Sequence, residues 1–345
     1  MKKLDFRSDT VTMPTAKMLE RMVQAELGDD VYGDDSTVNK LEALAAELLG
    51  KEAGLFVPTG TMGNLLAIMS HTTPGQEIIL EENCHIYLYE VAGIARVAGV
   101  QAKPIKGIDG VMSPKDLENA IRKENIHFPE TGLICLENTH NMAGGMVVPL
   151  ENMESIYALA KHKNIPLHLD GARIFNASRY LNKDVKEIAR FTDSVMFCFS
   201  KGLGSPIGSM LVGTKDFIKK ARKLRKMLGG GMRQVGVIAA AGILALEEMP
   251  KVLDIDHTNA KLLAKGLNKL AGINIDIEKI HTNIVNVDFS NTGLSTNQLI
   301  PKLQERGLLS NPRNNDVIRF VTHKDVSSDD VKEAIEMIKE TINQG

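Results

Sequence analysis

The feature that most restricts the fold is an alternation. Short apolar runs at 54–57, 77–80, 100–105, 133–137, 165–170, 194–200 and 207–212 are separated by stretches with amphipathic helical spacing, such as 114–123 behind a capping Ser113, and 150–163. Strand–helix alternation of this kind predicts a mainly parallel sheet covered by helices on both faces. Such sheets bind ligands outside the carboxyl ends of their strands. Upstream, the pattern predicts a helix over 15–27, a Gly-Asp-rich loop over 28–35, and a second helix capped by Ser36 with Val38, Leu41, Ala45 and Leu48 on one face. A long apolar helix over 232–249 runs into Pro250. Strands at 283–289 and 317–322 lie among helices beyond it. The expected organisation is an N-terminal segment (1–15) that contributes to the active site, a large domain (16–249), and a smaller C-terminal α+β domain (250–345).

Charge and composition exclude several roles. The formal net charge is −2, so no strong field draws the chain to nucleic acid or anionic lipid. The basic run 215–226 reads as a solvated helix face. The longest apolar run, 235–246, is too short to span a bilayer. Three widely spaced cysteines (Cys84, Cys135 and Cys198) suit reduced thiols. The opening residues include Asp5, Arg7 and Asp9 and form no apolar leader core, so a cytoplasmic location is expected. Phosphate-loop, zinc-protease, zinc-knuckle and nucleophile-elbow motifs are absent, and no metal site is expected. Gly202, Gly204 and Gly208 match a dinucleotide loop only loosely.

Chemistry gathers at three strand ends. Asp170 closes the run Ile-Pro-Leu-His-Leu-Asp, Lys201 follows Val-Met-Phe-Cys-Phe-Ser, and His85 lies just past the 77–80 strand. Each alone has an ordinary explanation: a helix cap, a loop lysine, a surface histidine. Together they supply what pyridoxal 5'-phosphate (PLP) requires. Its aldehyde needs an amine, its ring nitrogen an acid, and its ring face a flat partner. Pro58 to Asn64 then opens a helix directly after a strand, and the exposed N–H groups of a helix start suit a phosphate.

The chain resembles the L-threonine aldolases of PLP fold type I, the aspartate-aminotransferase-like fold. The resemblance spans nearly the whole sequence, through blocks at 6–12, 28–35, 58–64, 137–141, 168–173, 200–204 and 229–234. Thr59 and Ser205 stand where that family often has Ser and Ala. The resemblance implies roles: Lys201 as covalent anchor, Asp170 at the ring nitrogen, and His85 on the ring face. Gly60, Thr61 and the Met62 backbone would hold the phosphate. Arg173 would lie near the cofactor hydroxyl and the substrate carboxylate, with Ser8 and Arg319 as further carboxylate ligands. His127 and Tyr89 would lie near the substrate side chain. Lys226 and Arg233 would reach a neighbouring subunit's cofactor in a dimer of dimers. His140 reads as structural.

The implied reaction is retro-aldol cleavage of β-hydroxy-α-amino acids to glycine and an aldehyde. The base could be His85, His127, a water or the cofactor phosphate. A β-elimination or hydroxymethyl transfer is the runner-up, and a non-catalytic PLP-binding protein is the alternative of another class.

Overall fold

The computed structural model describes residues 3–344. Its centre is a seven-stranded sheet of β1 (Ala53–Val57), β2 (Glu77–Glu81), β3 (Gln101–Ile105), β4 (Thr131–Glu137), β5 (Leu167–Asp170), β6 (Ser194–Cys198) and β7 (Ser209–Gly213), in the order β1-β7-β6-β5-β4-β2-β3. Strand β7 pairs antiparallel with both β1 and β6, and the other pairings are parallel. Strands β2, β5, β6 and β7 are buried along their whole length. Helices cover them on both faces, which is why these strands read as continuous apolar runs without alternation.

Several element ends differ from the expected ones for identifiable reasons. The first helix, α1 (Ala16–Val23), begins at its Thr15 cap but stops four residues before Leu27. The second, α2 (Ser36–Leu49), is capped by Asp35 and not by Ser36: the Asp35 carboxylate accepts from Val38 N (3.0 Å) and also from Gly236 N (2.8 Å). One acid thus caps two helix starts, because an aspartate reaches orphan N–H groups at least as well as a serine. The apolar helix begins at Gly236 and not at 232, since Arg233 O turns outward to accept from Asp30 N.

A second layer holds a three-stranded antiparallel sheet of β8 (Ile284–Asp288), β9 (Asn311–Pro312) and β10 (Val317–Val321), in the order β8-β10-β9. The N-terminal residues belong to it. Leu4–Asp5 pairs parallel with Leu308–Leu309, and Leu4 and Phe6 are buried in the same apolar cluster as Leu308, Ile318 and Phe320. Phe6 N donates to Leu309 O and Val321 N donates to Phe6 O. These bonds fix where residues 8–12 cross between the layers. They carry Ser8 and Asp9 to the carboxyl ends of β5 and β6.

Candidate active site

A cavity of about 450 Å³ lies between the two layers, lined by Ser8, Thr10, His85, Tyr89, Asn141, Arg173, Lys201, Asn311, Pro312, Arg313 and Arg319. Small-molecule sites run from roughly 300 to 1,000 Å³. Three arginines, one lysine and one histidine face it, and none of its lining residues is an aspartate or glutamate. The cavity is built for an anionic ligand.

Asp170 lies buried at the end of β5, in register with Glu137 of β4 and Met196 of β6. Its Oδ1 accepts from Ala172 N (3.1 Å) and its Oδ2 from Asn64 Nδ2 (2.9 Å). His85 opens the short helix α4 (His85–Leu88), held there by its backbone N–H, which donates to Glu137 Oε2 (2.6 Å). One side-chain nitrogen or oxygen from each of His85, Glu90 and Asp170 lies within 4.8 Å of the other two. Tyr89 follows, its ring 5.5 Å from that of His85 and its hydroxyl on Met142 Sδ. Lys201 lies just past β6, its carbonyl accepting from Thr12 Oγ1 (3.0 Å).

Glu90 sets the state of His85. His85 Nδ1 is 3.0 Å from Glu90 Oε1. Burial opposes the charged imidazole, but the Glu90 hydrogen bond and the Asp170 and Glu90 charges outweigh it and raise the His85 pKa. Burial in turn pushes the Glu90 carboxyl up. The Nδ1 of His85 is committed to Glu90, which leaves Nε2 for chemistry.

Arg173 is held differently from the expectation. Its Nε and Nη2 donate to the two carboxylate oxygens of Asp9, each at 2.7 Å, and Asn283 Nδ2 adds a third bond to that carboxylate. The pair is almost sealed, with Asp9 0 % and Arg173 6 % exposed. Against the burial cost, the Arg173 charge and hydrogen bonds hold the Asp9 carboxyl far below the usual range. The bidentate face of Arg173 is therefore occupied, and only its remaining N–H groups can meet a ligand. Arg319, half-buried on β10, donates from Nη1 to Asn141 Oδ1 (3.0 Å) and from Nη2 to Arg7 O (3.2 Å). Burial lowers its pKa. Ser8 Oγ accepts from Thr10 N.

The segment expected to hold a phosphate is the start of α3 (Gly60–His71). Thr59 caps it by accepting from Met62 N (3.1 Å). That bond removes Met62 N–H from the expected set. The N–H groups of Gly60 and Thr61, first in the helix, have no partner within it. A Cβ at Gly60 would stand 3.0 Å from Cys198 Sγ and 3.2 Å from Met196 Cε, so the glycine lets the helix start sit directly on β6.

Not every expected residue lines the cavity. His127 sits in an exposed loop, its N–H donating to Asn125 Oδ1. Arg233 is paired with Asp29 (2.9 Å), and the Lys226 stem packs on Gly231. His140 is buried on Glu81 (2.9 Å), a structural pair. Thr10, Asn141, Asn311 and Arg313 also line the cavity, and none of them is among the residues expected there from sequence. Asn141 ends the 137–141 block and Thr10 lies within the 6–12 block, so position alone points to both. Arg313, which donates to Met142 O, gave no such signal.

Comparisons with known proteins agree on the family. The Beta-eliminating lyase family model matches residues 5–290. The chain is 46% identical over 336 residues to low-specificity L-threonine aldolase 1 of Arabidopsis thaliana, covering 96% of this chain and 94% of that one. It is 44% identical over 331 residues to the low specificity L-threonine aldolase of Escherichia coli K12, covering 96% of each. Among solved structures, the threonine aldolase of Leishmania major superposes with a TM-score of 0.84 at 22% identity, covering 98% of this chain and 99% of that one. That last likeness speaks to the fold.

Proposed function

The chain belongs to the beta-eliminating lyase family, and on that premise we propose that it cleaves L-threonine and L-allo-threonine to glycine and acetaldehyde with PLP as cofactor. The observation that carries this reading is the cavity itself: an amine (Lys201) and an imidazole (His85) face it among three guanidinium groups, with the buried Asp170 beside His85.

The donor set fits the cofactor. Lys201 would hold it covalently, Asp170 would pair with its ring nitrogen, and His85 would lie on its ring face. Gly60 and Thr61 would bind its phosphate through the two N–H groups that Thr59 leaves uncapped. When bound, PLP supplies an electron sink for the negative charge that develops at Cα. The protein's task is then positioning. Arg319 and Ser8 take the substrate carboxylate, with Arg173 held rigid behind them by Asp9. A carboxylate fixed at that end would orient the substrate so that its Cα–Cβ bond is the one placed for cleavage. His85 Nε2 accepts the β-hydroxyl proton as the bond breaks. Tyr89 borders the space for the departing aldehyde. The reading extends to a cytoplasmic homotetramer in which Lys226 and Arg233 approach a neighbour's cofactor and His127 meets a substrate side chain. No helix among the described residues is long and apolar enough to cross a membrane.

Purified protein supplied with PLP and L-threonine, or L-allo-threonine, tests this directly. Glycine and acetaldehyde in equal amounts are expected. A 2-oxo acid with ammonia would instead mark β-elimination, and a yellow protein with no turnover would mark a binding protein.

Two variants probe the roles. Arg319→Leu removes the half-buried cation assigned to the substrate carboxylate, and KM for L-threonine should rise roughly 10- to 100-fold, the worth of a charged hydrogen bond. An unchanged KM would remove Arg319 from the carboxylate site. Glu90→Gln deletes the partner that raises the His85 pKa. The base must be neutral to act, so the acid limb of kcat/KM, above the ordinary histidine range in the wild type, should move to lower pH in the variant. A limb that stays in place would exclude His85 as the base.

A further inference from the structure

Behind the cavity a line of hydrogen bonds runs along one face of the sheet beneath α3, and none of the steps above uses it. His71, the last residue of α3, stacks on Phe217 with ring centroids 4.5 Å apart. Its Nε2 lies 2.8 Å from Ser194 Oγ, which lies 2.9 Å from His168 Nδ1. His168 Nε2 is 3.1 Å from Asn64 Oδ1. Asn64 Nδ2 is 2.8 Å from Glu90 Oε1 and 2.9 Å from Asp170 Oδ2. Asn64, His168 and Ser194 are fully buried.

The direction of every bond follows from the chemistry of its ends. Carboxylate oxygens accept, so Asn64 must turn its NH₂ group, with two hydrogens, toward Glu90 and Asp170. Its oxygen then faces His168 Nε2, which must carry a proton. Burial holds the His168 pKa down to about 3, so the ring is neutral and has one N–H only. Its Nδ1 is therefore bare and accepts from the Ser194 hydroxyl. Ser194 Oγ in turn accepts from His71 Nε2–H, and His71 is also neutral, lowered by burial to about 4. All the donors point the same way, and bonds aligned head to tail polarise one another.

We propose that His71, Ser194, His168 and Asn64 are positioning residues that together orient the Asp170 carboxylate and keep the cofactor's ring nitrogen protonated. The proposal rests on the PLP reading above. Its content is that the ring's electronic state is set from the amino-terminal ends of β5 and β6, on the same sheet face, by the tautomer of His168. Loss of the Ser194 hydroxyl releases that tautomer. The alternative places a bare Nε2 against Asn64 Oδ1, which turns the amide and aims its oxygen at the two carboxyl groups.

The test uses full-length protein loaded with PLP labelled with ¹⁵N in the ring, read by the ring-nitrogen chemical shift and by the PLP dissociation constant. The wild type should show a protonated ring. Ser194→Thr keeps the hydroxyl, and His168→Gln can still donate to Asn64 and accept from Ser194, so both should keep the wild-type shift. Ser194→Ala and Asn64→Leu should move the shift toward the unprotonated ring and weaken PLP binding roughly 10-fold or more. Ser194→Ala removes one atom from a strand start and carries the test by itself if Asn64→Leu does not fold. A wild type with a protonated ring, together with a folded Ser194→Ala variant of unchanged shift, overturns the inference alone. A wild type that takes up no PLP overturns the functional reading and this inference with it.

Discussion

Lys201→Ala should yield a protein that folds as the wild type does yet shows no imine absorbance in the visible when supplied with PLP. Turnover of L-threonine should fall by about 10⁴- to 10⁶-fold, the scale on which loss of a covalent catalytic group is felt. The argument is structural as well as chemical. Among the described residues, Lys201 is the only lysine lining the cavity. Its backbone carbonyl is held by Thr12, which fixes where the amine's side chain starts. Free PLP would still meet Asp170, His85 and the start of α3, so weak non-covalent uptake is expected. Absorbance spectra of the dialysed variant decide the matter: a normal visible band would mean that another amine is the anchor.

Asp9→Ala should produce the largest loss of stability. It leaves the buried Arg173 guanidinium without its carboxylate partner, and removing one member of a buried ion pair costs about 3–5 kcal/mol. The same carboxylate also accepts from Asn283, so one truncation removes a side-chain link from the N-terminal segment to each layer. The double variant Asp9→Leu with Arg173→Leu separates charge from packing. It should recover most of the stability, because two apolar side chains need no partner, while activity stays lost. Urea unfolding of the three proteins measures this. If Asp9→Ala alone cost under 1 kcal/mol, the pair would be a solvated contact and the rigid placement of Arg173 would go with it. The lowered Asp9 pKa has a further consequence. Its stabilisation is present above the unfolded carboxylate range and is lost only as pH falls toward the much lower folded value, so this pair survives moderate acid.

The site was partly legible in the sequence because of the sheet. A parallel strand buried on both faces is apolar up to its end, so Asp170 and the Ser200-Lys201 step stand out as the points where the chain leaves the core. His85 was found by the same logic, one turn beyond β2. What could not be read was contact between remote segments. Arg173 looks like a free carboxylate ligand until Asp9, 164 residues away, is seen to fill its fork. Glu90 is an unremarked acid in Tyr-Glu-Val until α4 turns it back onto His85. Met62 could serve a phosphate until Thr59 takes its N–H. Helix ends failed for a related reason: Asp35 outcompetes Ser36 because it serves two helices at once, and the second helix start lies 201 residues downstream.

The central claim is that Lys201 carries the cofactor within reach of Asp170 and His85. Borohydride reduction of the PLP-loaded protein, followed by proteolysis and mass spectrometry, reads that claim at one residue. The account predicts a single phosphopyridoxyl adduct on the peptide containing Ser200-Lys201-Gly202, at one per chain. An adduct on a different lysine, or none on a protein that turns over L-threonine, would contradict it.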